Sequence, residues 1–303
     1  MSKQSQTLYK ITVTAVFLAL GVVVSLLASF DIPVLGESGI KVGFAGVFTS
    51  FPALLFGPWY GGAASALADF FRAIIKPTGA FNPLFTLTAF LGGFLRGLIF
   101  SCLRNKKALA VKIGTYAVGL VSIAAGIINR FLLHADGISP ALFDGMEPAA
   151  VDVGKFSLIG RLIVSRAAIT KNAAANLSSY IIYCTSALIL FGALLLAAAI
   201  INDLVSLRRP DSPQRNTGIK ITLALVLSGL IQTTVNTVIL REMIYASWRQ
   251  LGFFAVWVPR AIEEVVVRVI QAWLVSLLYE IYCSRLRPRP VQNGDTHSEN
   301  SGE

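Results

Sequence analysis

Long apolar runs alternating with short polar connections set the pattern of this chain. Runs of about helix length occur at residues 11–29, 42–57, 58–76, 83–103, 113–133, 177–202, 219–243 and 256–283. A helix that crosses a bilayer needs roughly 20 apolar residues, with latitude for tilt, so the pattern predicts eight spanning helices. The second run is short and contains Pro52, which predicts a tilted or kinked helix. It meets the third at Gly57-Pro58, a tight turn with proline where a new helix starts. In the third run the small residues Gly61, Gly62, Ala63, Ala64, Ser65, Ala66 and Ala68 precede two charges, Asp69 and Arg72. A compact loop, IKPTGAFNP, then leads into the fourth. Small residues let helix backbones approach closely. Charge and irregular backbone inside a membrane are costly and mark a pathway or a binding site. The stretch 55–97 therefore reads as the wall and lid of a small-molecule site.

Composition agrees with the bilayer as solvent. Of 303 residues, 55% are hydrophobic and 14% charged, and the mean hydropathy is +0.69; a soluble domain carries about a quarter charged residues. The formal net charge of +10 does not point to nucleic acid, because Lys and Arg lie between the apolar runs rather than along one basic face. Cys102, Cys184 and Cys283 lie within or at the ends of apolar runs, with no CxxC and no disulfide framework. The N-terminus leads into its apolar run without a small-residue cleavage site, so 11–29 is read as a retained span.

Orientation follows from the basic residues. With the N-terminus inside, the inner segments hold thirteen Lys and Arg, and the short outer connections and adjoining span ends hold five: Lys41, Arg72, Lys76, Arg241 and Arg249. Both termini are then cytoplasmic, and the polar tail 285–303 is expected to be disordered. The connection 134–176 has an acidic, turn-rich half. Its second half has Phe156, Ile159, Leu162 and Ile163 on one side and Lys155, Arg161, Ser165 and Arg166 around the other. That is either a basic amphipathic helix at the outer interface or a loop helix packed on neighbouring spans.

Several short motifs, in order and at spacing, carry a resemblance. They are Gly43-Phe44, Phe56-Gly57-Pro58-Trp59, Leu67-Ala68-Asp69, Pro77-Thr78-Gly79-Ala80-Phe81 and Phe85-Thr86-Leu87-Thr88-Ala89. Val235-Asn236-Thr237 and Val258-Pro259-Arg260-Ala261-Ile262 follow later. Together they resemble the substrate-binding S components of energy-coupling factor (ECF) transporters, within them the folate family. The resemblance covers roughly 10–103 and 219–283. It implies a six-helix vitamin-binding subunit with an outward-opening pocket and no ATPase of its own, working with a membrane coupling subunit and two ABC-type ATPases in a bacterial cell membrane. Ala15 and Ala19 are similar to the small-residue motif that docks such subunits on the coupling subunit. The stretch 104–218 has no counterpart in the six-helix pattern. The expected fold is thus an all-α integral membrane protein. Core helices 1–4 occupy 1–103 and helices 5–6 occupy 219–284, with a two-helix hairpin at 104–218 inserted between the fourth and fifth.

The residues themselves suit an anionic ligand, and with the resemblance they imply an anionic vitamin such as a folate-like pterin-glutamate or pantothenate. Arg72, Lys76 and Arg260 put positive charge near the outer ends, and arginine grips a carboxylate through two parallel hydrogen bonds. Lys41, Arg241 and Arg249 belong to the same outer set, but long basic side chains near span ends usually snorkel to solvent or lipid head groups. Arg260, Glu264 and Arg268 are spaced four apart, so a structural ladder is the other reading of that trio. Asp69 either meets ligand or neutralises Arg72. Asn82 and Asn236 donate and accept together, as a pterin edge requires, or join helices. Phe81 and Phe85 offer stacking faces beside Gly79, whose backbone freedom suits a loop that closes over ligand, whereas Trp59 and Trp257 are span-end aromatics. Enzymatic chemistry has no footing: His134 and His297 are the two histidines, Glu263-Glu264 has no histidine nearby, and no HExxH or GxxxxGK[ST] occurs. No cofactor, catalytic residue or metal is expected. No repeat between the halves suggests an autonomous secondary transporter.

Overall fold

A computed structural model describes residues 3–34, 37–77, 81–143, 151–168, 173–208, 217–245, 248 and 253–286. The sequence-predicted tail therefore lies almost wholly outside the described residues. Ten α-helices appear among them: α1 Lys3–Leu27, α2 Ala45–Phe56, α3 Pro58–Ile75, α4 Pro83–Arg104, α5 Ala108–Ala135, α6 Leu158–Ala168, α7 Ala173–Ile182, α8 Leu188–Arg208, α9 Thr217–Ile239 and α10 Phe253–Ile281. A π-helical turn, Tyr183–Ala187, joins α7 to α8 without a break, and another, Leu240–Ile244, extends α9. Five of the described helical stretches are long and apolar enough to cross a membrane: Gln4–Leu27, Pro83–Arg104, Ala108–Ala135, Tyr180–Leu204 and Thr217–Ile244. The protein is a multi-pass membrane protein of predominantly helical fold.

Among the described residues the fold is all-helical as expected apart from one short element. Residues Ser29–Val34 (β1) and Glu37–Gly43 (β2) pair as a short antiparallel hairpin between α1 and α2. Its sequence alternates apolar and polar residues on both arms, the two-residue period of a strand. The register pairs Ser29 with Gly43 and Ile32 with Ile40, and slips between Ile32 and Pro33, where proline has no N–H for the ladder. The helix expected from residue 42 consequently starts at Ala45 and has 12 residues. Pro52 sits inside it.

The remaining helices pack as their small residues allow. At Gly57 the backbone turns with φ 98°, the left-handed region glycine occupies without penalty, and Pro58 opens α3. A side chain at Gly61 would strike Ala53 of α2 and the backbone oxygen of Gly93, so α2, α3 and α4 meet backbone to backbone. Phe51, Phe100, Leu225 and Val275 from α2, α4, α9 and α10 form a buried core at the end near the Gly57 turn. Tyr9 and Tyr282 hydroxyls, 2.5 Å apart, tie α1 to the end of α10 there.

Helices α5 and α8 pack on each other and touch the rest through α9 and α10. Beyond them, the described residues between 133 and 177 build a small helical cap with its own core of Leu133, Ile138, Phe143, Ile163, Val164 and Leu177. Helix α6 belongs to that cap, packed on α7. Ile163 is buried as part of its apolar side, but Leu162 is 58% exposed and does not share that face. A turn of 100° per residue separates the two, and the packed side runs through Ile163, Val164 and Ala167 instead.

Candidate functional site

A cavity of about 870 Å³ lies among α1, α2, α3, α4, α9 and α10, and reaches the ends of α3 and α9 at Lys76, Pro77 and Tyr245. Its wall includes eight of the residues singled out from the sequence: Asp69, Arg72, Lys76, Phe81, Asn82, Phe85, Asn236 and Arg260. Gly79 lies outside the described residues. Ala15 and Ala19 stand elsewhere, exposed on the flank of α1.

Each wall residue is placed by a local reason. Asn82 is the N-cap of α4: its side-chain oxygen accepts from Leu84 N at 3.0 Å, and Pro83 takes the first helical position, where a missing N–H costs nothing. Asp69 accepts from Thr86 Oγ1 at 2.8 Å, which joins α3 to α4. Among the described residues no ion pair links Asp69 to Arg72, so the neutralising pair is not formed. Asn236 Oδ1 accepts from Thr88 Oγ1 at 2.6 Å, binding α9 to α4 while leaving its amide N–H₂ for other partners. Phe81 is exposed and meets Phe70 edge to face at 6.0 Å between centroids. Trp59 is exposed at the far turn, against Phe90 and Phe94.

Arg260 follows Pro259 inside α10 and is 9% exposed; its Nε donates to Thr237 Oγ1 at 3.1 Å. The ladder half of its alternative reading holds for the deeper pair only, since Arg268 Nε donates to Glu264 Oε1 at 2.6 Å. Arg268 Nη1 continues to Gln271 Oε1 at 2.8 Å, and Gln271 Nε2 donates to Gly43 O at 2.7 Å, anchoring the foot of the hairpin. Trp257 Nε1 donates to Thr234 Oγ1 at 2.9 Å. Arg241 pairs with its neighbour Glu242, whereas the Lys41 side chain and Arg249 are outside what is described.

Sequence reasoning missed part of the wall. Arg96, Gln232, Thr233 and Gln271 also line the cavity, beside Glu263, Glu264 and Arg268, which the sequence had already marked. Arg96 was legible: an arginine in the middle of an apolar span is a functional candidate by default. Gln232 and Gln271 were not, because an amide in a membrane helix as readily joins two helices. Counting all of these, the wall holds five cations (Arg72, Lys76, Arg96, Arg260, Arg268) against three carboxylates (Asp69, Glu263, Glu264). Among the described residues no cluster of His, Cys, Asp and Glu has the makings of a metal site. The arrangement has donors, acceptors, flat rings and surplus positive charge. It is built to hold a molecule.

Comparison with known proteins points the same way. The family model described as ECF-type riboflavin transporter, S component, matches residues 5–164, just over half of the chain. It ends before α7, so α9 and α10 join the cavity by their packing alone. Over 88 residues the chain is 34% identical to a protein of Clostridium novyi (strain NT) named folate transporter FolT. That alignment covers 29% of this chain, which spans about half (49%) of the relative's length. No solved structure matches.

Proposed function

The chain belongs to the S-component family of ECF-type riboflavin transporters, and from that membership we propose that its cavity binds an anionic vitamin, folate or a close relative, for uptake. It is a transporter component and not an enzyme. The observation that carries the proposal is the wall itself. Cations outnumber carboxylates there, and four amides and two phenylalanines stand beside them. In a low-dielectric interior such an excess is stabilised by a ligand of opposite charge. Stacking faces and amide edges suit a flat heterocycle carried on an acidic tail.

In this reading the protein lies in a bacterial cell membrane with both termini cytoplasmic and the cavity facing out. Residues 1–103 and 219–284 form the binding bundle, and 104–218 is an added hairpin with its cap. Energy comes from two ABC-type ATPases, through a membrane coupling subunit that docks on the Ala15–Ala19 face. Both alanines are exposed on α1, as a docking surface requires.

Riboflavin is the second reading, favoured by the description of the matching family. It is uncharged at neutral pH and would leave the surplus cations without a counter-charge. Purifying the protein and identifying the co-purified vitamin by mass spectrometry separates the two. Folate or another anionic vitamin is the expected result; riboflavin would reject the charge argument, and a protein that binds no vitamin would reject both.

A further inference from the structure

The deepest part of the cavity holds a cation that the reading above counts but gives no partner on the ligand. Arg96 projects from the middle of α4, is only 3% exposed, and lines the cavity. One Nη donates to Ser50 Oγ at 3.0 Å, a neutral partner. Its Nε has no acceptor among the described residues. The carboxylate whose field reaches it, Glu264, already accepts from Arg268 at 2.6 Å. That network is held against the backbone of α2, since a Cβ at Gly46 would come within 2.7 Å of Arg268 Nη1 and 2.9 Å of Gln271 Nε2. A buried guanidinium that faces neutral groups is destabilising, and such a cost persists where a function needs it.

We infer that Arg96 is the floor of the binding site and receives a planar acceptor group, a carboxylate or a conjugated carbonyl edge, at the buried end of the ligand. The inference rests on the cavity being the vitamin site, as proposed above. Arg260 and Arg268 are eight residues apart on α10, about 12 Å at 1.5 Å per residue. Arg268 belongs to the floor network and Arg260 to the mouth. The ligand is therefore elongated, with acceptors at both ends: a charged tail at Arg72, Lys76 and Arg260, and a flat acceptor edge on the forked guanidinium below.

The test compares Arg96→Gln, Arg96→Lys and Arg260→Gln with the parent protein. The probe is whichever of folate and riboflavin the parent binds, with affinity read by calorimetry and unfolding temperature measured with and without it. Arg96→Gln is expected to weaken binding about tenfold to a hundredfold, the range for a hydrogen bond to a charged group. The empty variant should melt at or above the parent temperature, because an uncompensated cation has been removed. Arg96→Lys keeps the charge and a donor for Ser50 but loses the planar fork, so it should fold and bind about tenfold more weakly or worse. Parent-like affinity in Arg96→Lys, or lowered melting of Arg96→Gln with affinity unchanged, would make Arg96 a structural partner of Ser50 and overturn the inference. Weakening confined to Arg260→Gln overturns this inference alone; parent affinity in all three variants overturns the cavity reading with it.

Discussion

Two regions of this molecule are made of largely apolar helices and pack in different ways. Between α5 and α8 the interface is solid. A Cβ at Gly119 would lie 3.2 Å from Gly192 O, and one at Gly126 would lie 2.7 Å from Thr185 O, so the two backbones touch along their length. At the end near α4, Lys112 pairs with Asp203, which also accepts from Tyr116 OH at 3.1 Å. Near the Gly57 turn α3 and α4 are likewise in backbone contact at Gly61 and Gly93, but toward Lys76 the faces of α3, α4, α9 and α10 carry hydroxyl, amide and charged side chains, and a cavity opens between them. Lipid tails are as apolar as leucine, so hydrophobicity does not decide which faces close. Small residues close an interface, and paired polar groups prop one open.

The contrast can be broken at several points. The largest effect is expected on transport and not on binding. Ala15→Trp with Ala19→Trp adds bulk to an exposed face of α1 that is not part of the cavity wall. Vitamin uptake by cells should fall to background while the purified variant binds as the parent does; persistent uptake would misplace the docking face. Next, Arg260→Ala should weaken binding about tenfold to a hundredfold with unchanged expression, and unaltered affinity by titration calorimetry would remove Arg260 from the site. Third, Gly192→Leu forces a side chain against Gly119 O and Ile123. It should cost about 1–3 kcal/mol of stability by overpacking, seen as a lower melting temperature, with vitamin affinity within about twofold. A large loss of affinity there would mean that the two regions are coupled. A smaller change, about 1 kcal/mol, is expected for Thr88→Val, which removes the bond to Asn236. Lys112→Ala should cost least, at most about 1 kcal/mol, because its pair with Asp203 is partly solvated.

How much of this was readable beforehand depends on the kind of signal. The helices α1, α4, α5 and α9 announce themselves by long apolar runs, and the Gly57-Pro58 turn by the only residues that fit it. The site residues Asp69, Arg72 and Arg260 stood out because charge in an apolar run has no cheap alternative explanation. The β1–β2 hairpin did not stand out, since its alternation spans few residues between two strong helical signals. Leu162 was assigned to the wrong side of α6 because the cap it packs in depends on contacts between residues far apart in sequence, such as Leu133 with Ile163 and Leu177. Asn82 was read as a ligand contact or helix joint, but its side chain caps α4; the adjacent Pro83 carried that information locally. Arg96 was overlooked beside the denser charges at the mouth, although the same rule that found Asp69 applies to it.

The most direct measurement is an experimental structure of the protein loaded with the vitamin it carries. The account predicts that vitamin inside the cavity of α3, α4, α9 and α10, its acidic tail against Arg260 and Arg72 and its ring reaching toward Arg96. Vitamin bound between α5 and α8, or on the cap, with that cavity unfilled, would contradict it.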